Sequence, residues 1–315
     1  MPNKWLKIEL SIPSPLVDAV SNFVMEIGAK GVFQEELDVQ SPEDLPEQRE
    51  KETLKAYLPC DARVKDKLTS LKKYTDSLSR IFPHLEKASL TTEEISNQDW
   101  GEQWKKFFKP LRIGRNIVIK PTWERYPASG RDLVIDIDPG MAFGTGQHPS
   151  TRMCMQAMEE ILLTDRTIKN WRVLDVGTGT GILGITSVKL GAHRAVCVDI
   201  DKKATDIALE NAKINRVENR IEIINRDVST IRESFDLVIA NLTAQILKKL
   251  CNHLISVVEP GGYLLLSGIM ELEEQDIQES FLTSPCLVSH KIIKEKDYPD
   301  IGRDWVCYVL RKRSE

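Results

Sequence analysis

The sequence lacks any apolar run of the roughly 18 residues that a membrane span needs. Its opening segment, MPNKWLKIELSIP, alternates polar and apolar residues and so lacks a signal-peptide core. A soluble, cytoplasmic protein without membrane partners is expected. CxxC pairs are also missing: the six cysteines, Cys60, Cys154, Cys197, Cys251, Cys286 and Cys307, are scattered along the chain. That spacing argues against a zinc knuckle and a disulfide framework and points to free, mostly buried thiols. There is no cationic excess either, since 43 Lys and Arg face 47 Asp and Glu, for a net charge of -4. A protein whose main task is coating nucleic acid would need the opposite balance, whereas a mildly acidic one suits a basic protein partner. What the chain does have is length: 315 residues, 41% of them hydrophobic, are enough for two compact domains, each with its own core.

The first of these spans residues 1–95. Lys4 to Ile12 alternates as a strand, and Ser14 to Ala29 carries Leu16, Val17, Val20, Phe23, Val24 and Ile27 at helical spacing. Lys30 to Leu37 and Glu52 to Leu58 read as strands on either side of SPEDLPEQREK, a charged, proline-bearing loop. Asp61 opens a long helical pattern through Leu68, Leu71, Leu78 and Ile81, and Lys87 to Ile95 supplies a last strand. The order β-α-β-β-α-β is ferredoxin-like, an α+β sandwich. It carries no glycine-rich loop and no convergent catalytic residues, so it reads as a recognition module.

Residues 96–110 read as a linker helix, with Trp100, Trp104 and Phe107 or Phe108 falling on one face as an aromatic stripe suited to docking. From residue 111 to 315, short strands lead into alternating β and α patterns, which imply an α/β domain with a parallel sheet wrapped by helices. Arg172 to Gly184, RVLDVGTGTGILG, is an apolar strand, a turn carrying Gly177, Gly179 and Gly181, and a helix start, the elements of a nucleotide-sized cradle. About 20 residues on, AVCVDID ends in Asp199 and Asp201; Asp199 closes the apolar run and is the acid placed to accept bonds from both hydroxyls of a ribose. Gly179, Gly181 and Gly184 also fit GxGxxG in a shifted register, so the glycine turn by itself leaves an NAD-binding oxidoreductase open.

Two further stretches bear on the choice. DPGMAFGTGQHPSTRMCMQAM sets a second glycine-rich loop, then Ser150 and Thr151, just before a helix. The plainer reading is a turn and a cap, with His148 a single structural imidazole. FDLVIANLT is a buried strand ending in Asn241, whose carbonyl can accept a bond from an incoming N–H and aim its lone pair. Amine methylation needs that aim, because the nitrogen must arrive neutral and in line with the leaving group.

The segments DPGMAFGTGQHPST, VLDVGTGTGILGI, VDID and ANLT, in this order and spacing, resemble the PrmA family, methyltransferases of the large-subunit ribosomal stalk-base protein, number eleven. The resemblance covers the whole chain, including QDWGEQW and the segment GRDWVCYVLRK. It implies a Rossmann-like class I catalytic domain, S-adenosylmethionine as cofactor, methylation of α-amino and lysine ε-amino groups on that ribosomal protein, and an N-terminal domain that binds it. By matching position it implies cofactor contacts at Thr151, Gly177, Asp199 and Asn241. Gly179 and Gly181 then complete the cofactor turn, Asn241 is the catalytic residue that orients the amine, no metal and no essential general base are expected, and the chain acts as a monomer. Three other readings compete: an NAD-dependent oxidoreductase, which leaves HPST and Asn241 without a role; a non-catalytic binding protein; and a methyltransferase of nucleic-acid amines, which the acidic balance disfavours.

Overall fold

The computed structural model describes residues 4–29, 32–34, 51–96, 109–138, 146–165, 167–296 and 304–314. The chain divides into two compact units, Met1–Phe108 and Lys109–Glu315. Residues 97–108 of the linker helix expected over 96–110, and most of the SPEDLPEQREK loop, lie outside the described residues, while Ser96, Lys109 and Pro110 are not helical.

In the first unit, β1 (Lys4–Pro13), β2 (Val32–Gln34), β3 (Lys51–Pro59) and β4 (Ser89–Ser96) form one sheet in the order β2-β3-β1-β4, every neighbouring pair antiparallel. With α1 (Val17–Glu26) and α2 (Val64–Ile81) this is the ferredoxin-like order. Alternation along β1 turns Leu6, Ile8, Leu10 and Ile12 inward, where they pack with Leu54, Ala56 and Leu58 of β3 and with Val20, Val24 and Leu71 of the helices. Both helices start later than the sequence suggests. Pro15 forces a tight turn over Ser14–Leu16 before α1 begins. Asp61 stands one turn ahead of α2: its backbone carbonyl accepts the Val64 N–H (3.1 Å) and its Oδ1 that of Arg63 (2.9 Å).

The second unit holds two sheets. The smaller joins β5 (Leu111–Ile113), β6 (Ile117–Lys120) and β7 (Leu133–Asp136), with β6 and β7 parallel. The larger has seven strands: β8 (Arg172–Val176), β9 (Arg194–Asp199), β10 (Ile221–Asn225), β11 (Phe235–Asn241), β12 (Val258–Met270), β13 (Leu287–Lys296) and β14 (Asp304–Lys312). Their order is β10-β9-β8-β11-β12-β14-β13. The first five are parallel, but β14 runs antiparallel to both β12 and β13, so the sheet is mixed where a purely parallel one was expected. The reason is chain length: only residues 297–303 separate β13 from β14, too few for a crossover of a dozen or so residues.

Helices α3 (Pro149–Thr164), α4 (Ile182–Lys189) and α5 (Lys202–Ile214) cover one face of this sheet, and α6 (Ala244–Ser256) and α7 (Glu274–Ile277) the other. Alternation along β8 sends Val173 into the core shared with Met153, Ile182, Ile185 and Ile239, and Leu174 and Val176 into the opposite core with Val238, Leu247, Leu254 and Phe281. Each such fully buried aliphatic or aromatic side chain contributes on the order of 1.5–3 kcal/mol. The chain winds outward from β8 to β10 in one direction and from β11 to β12 in the other. The strand order therefore reverses between β8 and β11, the place where ligands bind outside the carboxyl ends of doubly wound, Rossmann-like strands.

Candidate active site

All the candidate residues lie at this carboxyl edge. β8 runs into the glycine turn, whose first two amides, of Gly177 and Thr178, donate to Val198 O at 2.9 and 3.1 Å and so bind the turn to β9. Gly177, Gly179 and Gly181 all have positive φ, at 68°, 55° and 82°, and α4 starts directly after. At Gly177 the need is steric as well as torsional, since a Cβ there would lie 2.5 Å from Leu242 Cδ2. Gly268 serves the same residue from the other side: its Cβ would lie 2.5 Å from Leu242 O and 3.1 Å from Asn241 Oδ1. Two glycines thus make room for the residue that follows Asn241, Gly177 for its side chain and Gly268 for its backbone.

Below the turn sits Asp175, fully buried, its Oδ2 accepting Thr178 Oγ1 (2.6 Å) and the Gly184 N–H (3.0 Å). Burial pushes its carboxyl up to about 6, opposed by these two hydrogen bonds and aided by the charge of Asp199. Gly184, the last glycine of the shifted GxGxxG, packs α4 onto β9, where a Cβ would meet Cys197 Sγ at 2.2 Å. That contact serves either cofactor class, so the turn's geometry leaves the choice open.

Of the two acids after β9, Asp199 faces the turn: its Oδ2 accepts the Gly179 N–H (3.0 Å) and its Oδ1 that of Asp201 (2.9 Å). Each carboxylate oxygen carries a second lone pair. Asp201 instead caps α5, accepting the Lys203 N–H at 2.9 Å.

The HPST segment starts α3. His148 is its cap: Nδ1 accepts the Ser150 N–H (3.2 Å) and lies 2.7 Å from Ser150 Oγ, while the ring meets Trp305 edge-on at 4.5 Å. The imidazole therefore has the structural role that the plainer reading gave it. Thr151, only 1% exposed, accepts a hydrogen bond from Asn241 Nδ2 at 3.3 Å, across 90 positions of sequence. Ser267 Oγ donates to Ser150 O (3.0 Å), and the Leu242 N–H donates to Ser267 O (3.0 Å). The structure thus brings Thr151, the glycine turn, Asp199 and Asn241 to one edge. Residues 139–145 of the second glycine-rich loop lie outside the described residues.

Several contributors escape a reading of the sequence. Asp175 looks like one more strand residue until its burial is seen. Ser267 and Gly268 sit where the pairing of β12 with β14 shifts register, between Leu266 and Ile269. A glycine inside the apolar run LLLSGIM is the available signal for such a bulge. Among the described residues no cluster of metal-ligating side chains occurs, and no helix is long and apolar enough to cross a membrane.

Comparison with known proteins bears on the choice between cofactor classes. The family model for "Ribosomal protein L11 methyltransferase (PrmA)" matches residues 4–313. A protein of that name from Pelobacter propionicus is 36% identical over 318 aligned residues, covering 100% of this chain and 99% of its own. One from Geobacillus thermodenitrificans is 34% identical, covering 98% and 99%. The crystal structure of a ribosomal protein L11 methylase from Lactobacillus delbrueckii subsp. bulgaricus, 29% identical, superposes with a TM-score of 0.56 over 65% of this chain and 100% of its own. A match that includes both units, together with relatives aligned end to end, places the chain in the PrmA family of ribosomal protein L11 methyltransferases.

Proposed function

We propose that the chain transfers methyl groups from S-adenosylmethionine to amino groups of ribosomal protein L11, at its α-amine and at lysine ε-amines, in the cytoplasm. The observation that carries this reading is the Asn241–Thr151 hydrogen bond at the switch point between β8 and β11, beside the glycine turn and Asp199. The donor set fits the cofactor. Asp199 keeps a lone pair on each oxygen for two adjacent ribose hydroxyls, and the positive φ of the turn brings backbone close to a ligand. Thr151 lines the same edge. The cofactor supplies an electrophilic methyl on a sulfonium. The chain's task is to deliver a neutral nitrogen to it, collinear with the leaving sulfur and roughly 3 Å from the carbon.

Asn241 performs that delivery. With its amide nitrogen held by Thr151, its Oδ1 is available to accept a substrate N–H and aim the lone pair. An α-amine, with an ordinary pKa of about 7.7–8.0, is partly neutral at physiological pH, whereas a lysine amine near 10.4 relies on burial in the crevice to lose its proton. No side chain has to remove that proton: it leaves to water before transfer, and His148 is already engaged as a cap. The N-terminal unit, a sandwich without chemistry of its own, serves as the module that recognises the ribosomal protein.

Mass spectrometry of ribosomal protein L11 incubated with S-adenosylmethionine and the chain tests the reading. Peptide mapping should place mass gains, in steps of one methyl, on the N-terminus and lysines. Asn241→Ala should lower kcat by about a hundredfold, the scale on which losing one preorganised transition-state contact acts. An unmodified substrate with the cofactor still bound would overturn the assignment of the acceptor.

A further inference from the structure

One residue braces both ends of the Thr151–Asn241 hydrogen bond. Ser267 stands opposite Asn241 in the parallel pairing of β11 with β12, inside the apolar run LLLSGIM. It is 0% exposed, so its hydroxyl is as thoroughly buried as the leucines before it. A hydroxyl in such a place is unfavourable unless a partner satisfies it, and an alanine would fill the strand without that requirement. The partner is Ser150 O in the first turn of α3, to which Oγ donates at 3.0 Å. Ser150 immediately precedes Thr151. The Cys154 thiol, one turn further along α3, also interacts with this hydroxyl.

The backbone of the same residue holds the other end. Ser267 O accepts the Leu242 N–H at 3.0 Å, and Leu242 immediately follows Asn241. On its other edge β12 pairs Leu266 with Tyr308 and Ile269 with Val306, so Ser267 and Gly268 together face Cys307 alone, a bulge. The bulge lets Ile269 return to the core opposite the one that holds Leu265, and it puts Gly268 beside the acceptor oxygen, where a Cβ would lie 3.1 Å from Asn241 Oδ1. At 3.3 Å the Asn241–Thr151 bond is long for an N–H donor and joins two separate elements, so its geometry depends on what holds those elements apart. The two bonds of Ser267 act one residue from either end of it, and neither involves the glycine turn or Asp199.

We propose that Ser267 is a positioning residue for methyl transfer. It fixes the separation of Thr151 from Asn241, and with it the direction in which Asn241 Oδ1 meets the incoming amine. This rests on the reading of Asn241 as the residue that orients the amine.

The test compares wild type, Ser267→Ala, Asn241→Ala and the double variant in steady-state methylation of ribosomal protein L11. Calorimetric binding of S-adenosylhomocysteine and urea unfolding are measured on the same preparations. Ser267→Ala should lower kcat by about ten- to a hundredfold, the scale on which misplacing a group at the reacting centre acts. Binding of S-adenosylhomocysteine and KM for the cofactor should stay as in wild type, because Asp199 and the glycine turn are untouched. The double variant should turn over no more slowly than Asn241→Ala alone, since the placement of a side chain already removed cannot be lost again. If Asn241→Ala is slow while Ser267→Ala keeps the wild-type kcat, or if the two losses multiply in the double variant, the proposal falls and the reading of Asn241 stands. If Asn241→Ala turns over as wild type does, both fall. A parallel loss of S-adenosylhomocysteine binding and kcat in Ser267→Ala, or loss of its cooperative urea transition, would make the hydroxyl a general support of the fold and likewise overturn it.

Discussion

At the scale of single residues, the site holds two interacting carboxylates whose environments differ sharply. Asp199 is partly exposed and accepts two backbone amides. Asp175 is sealed beneath the turn, and burial pushes its carboxyl from 3.8 up to about 6. The native state therefore keeps a proton that the unfolded chain releases near pH 4. Stability should fall as pH rises from about 4 to about 6, by up to about 3 kcal/mol on the scale of 1.36 kcal/mol per pKa unit, and should level off above that. Urea midpoints measured across this window should show the decline in wild type and a flatter profile in Asp175→Asn, which keeps an acceptor for Thr178 and Gly184 but has no proton to lose. An identical slope in the two proteins would remove Asp175 as its source. Among the thiols burial acts the same way on Cys197, which is enclosed and pushed well up, whereas Cys154 is pushed well up first by its hydrogen bond with Cys307 and then by burial.

At the scale of elements, what could be read from the sequence was local, and what escaped was distant. VLDVGTGTG announces itself because strand, turn and helix are consecutive and each has its own signal. Asn241 is visible as the polar end of an apolar run. By contrast, Ser267 meets Ser150 across 117 positions and Asn211 meets Asp138 across 73, and no periodicity reports such partners. Helix starts were misplaced for a physical reason of the same kind. Asp61 caps from one turn ahead of α2, where its Oδ2 also pairs with Lys67 at 2.9 Å, so an acid that opens a helical pattern precedes the helix itself. One element carries a cost of its own. Two residues past the end of α5, Arg216 has a φ of 57°, the left-handed conformation that favours glycine. Arg216→Gly should therefore stabilise the chain by roughly 0.5–1 kcal/mol, visible as a higher urea midpoint with an unchanged m-value.

At the scale of the whole molecule, the proposed function divides the labour between two units, recognition in one and chemistry in the other. Each has its own hydrophobic core, with Ile8, Leu10 and Leu54 central to one and Val173, Ile239 and Leu265 to the other. A chain of residues 109–315 is expected to bind S-adenosylhomocysteine as the full chain does, yet to leave ribosomal protein L11 largely unmethylated; calorimetry and mass spectrometry on the same preparation would check both halves. The order of strands in the large sheet also has a consequence for how the protein is made. β14 lies between β12 and β13 and is the only strand that pairs with β13 among those described. During translation residues 287–296 emerge before residues 304–312, so β13 must wait without a partner while β12 keeps an open edge. Synthesis rather than packing thus sets the time at which this sheet closes, and a ribosome that stalls before residue 304 holds a nascent chain with two unpaired edges exposed to chaperones and to its neighbours.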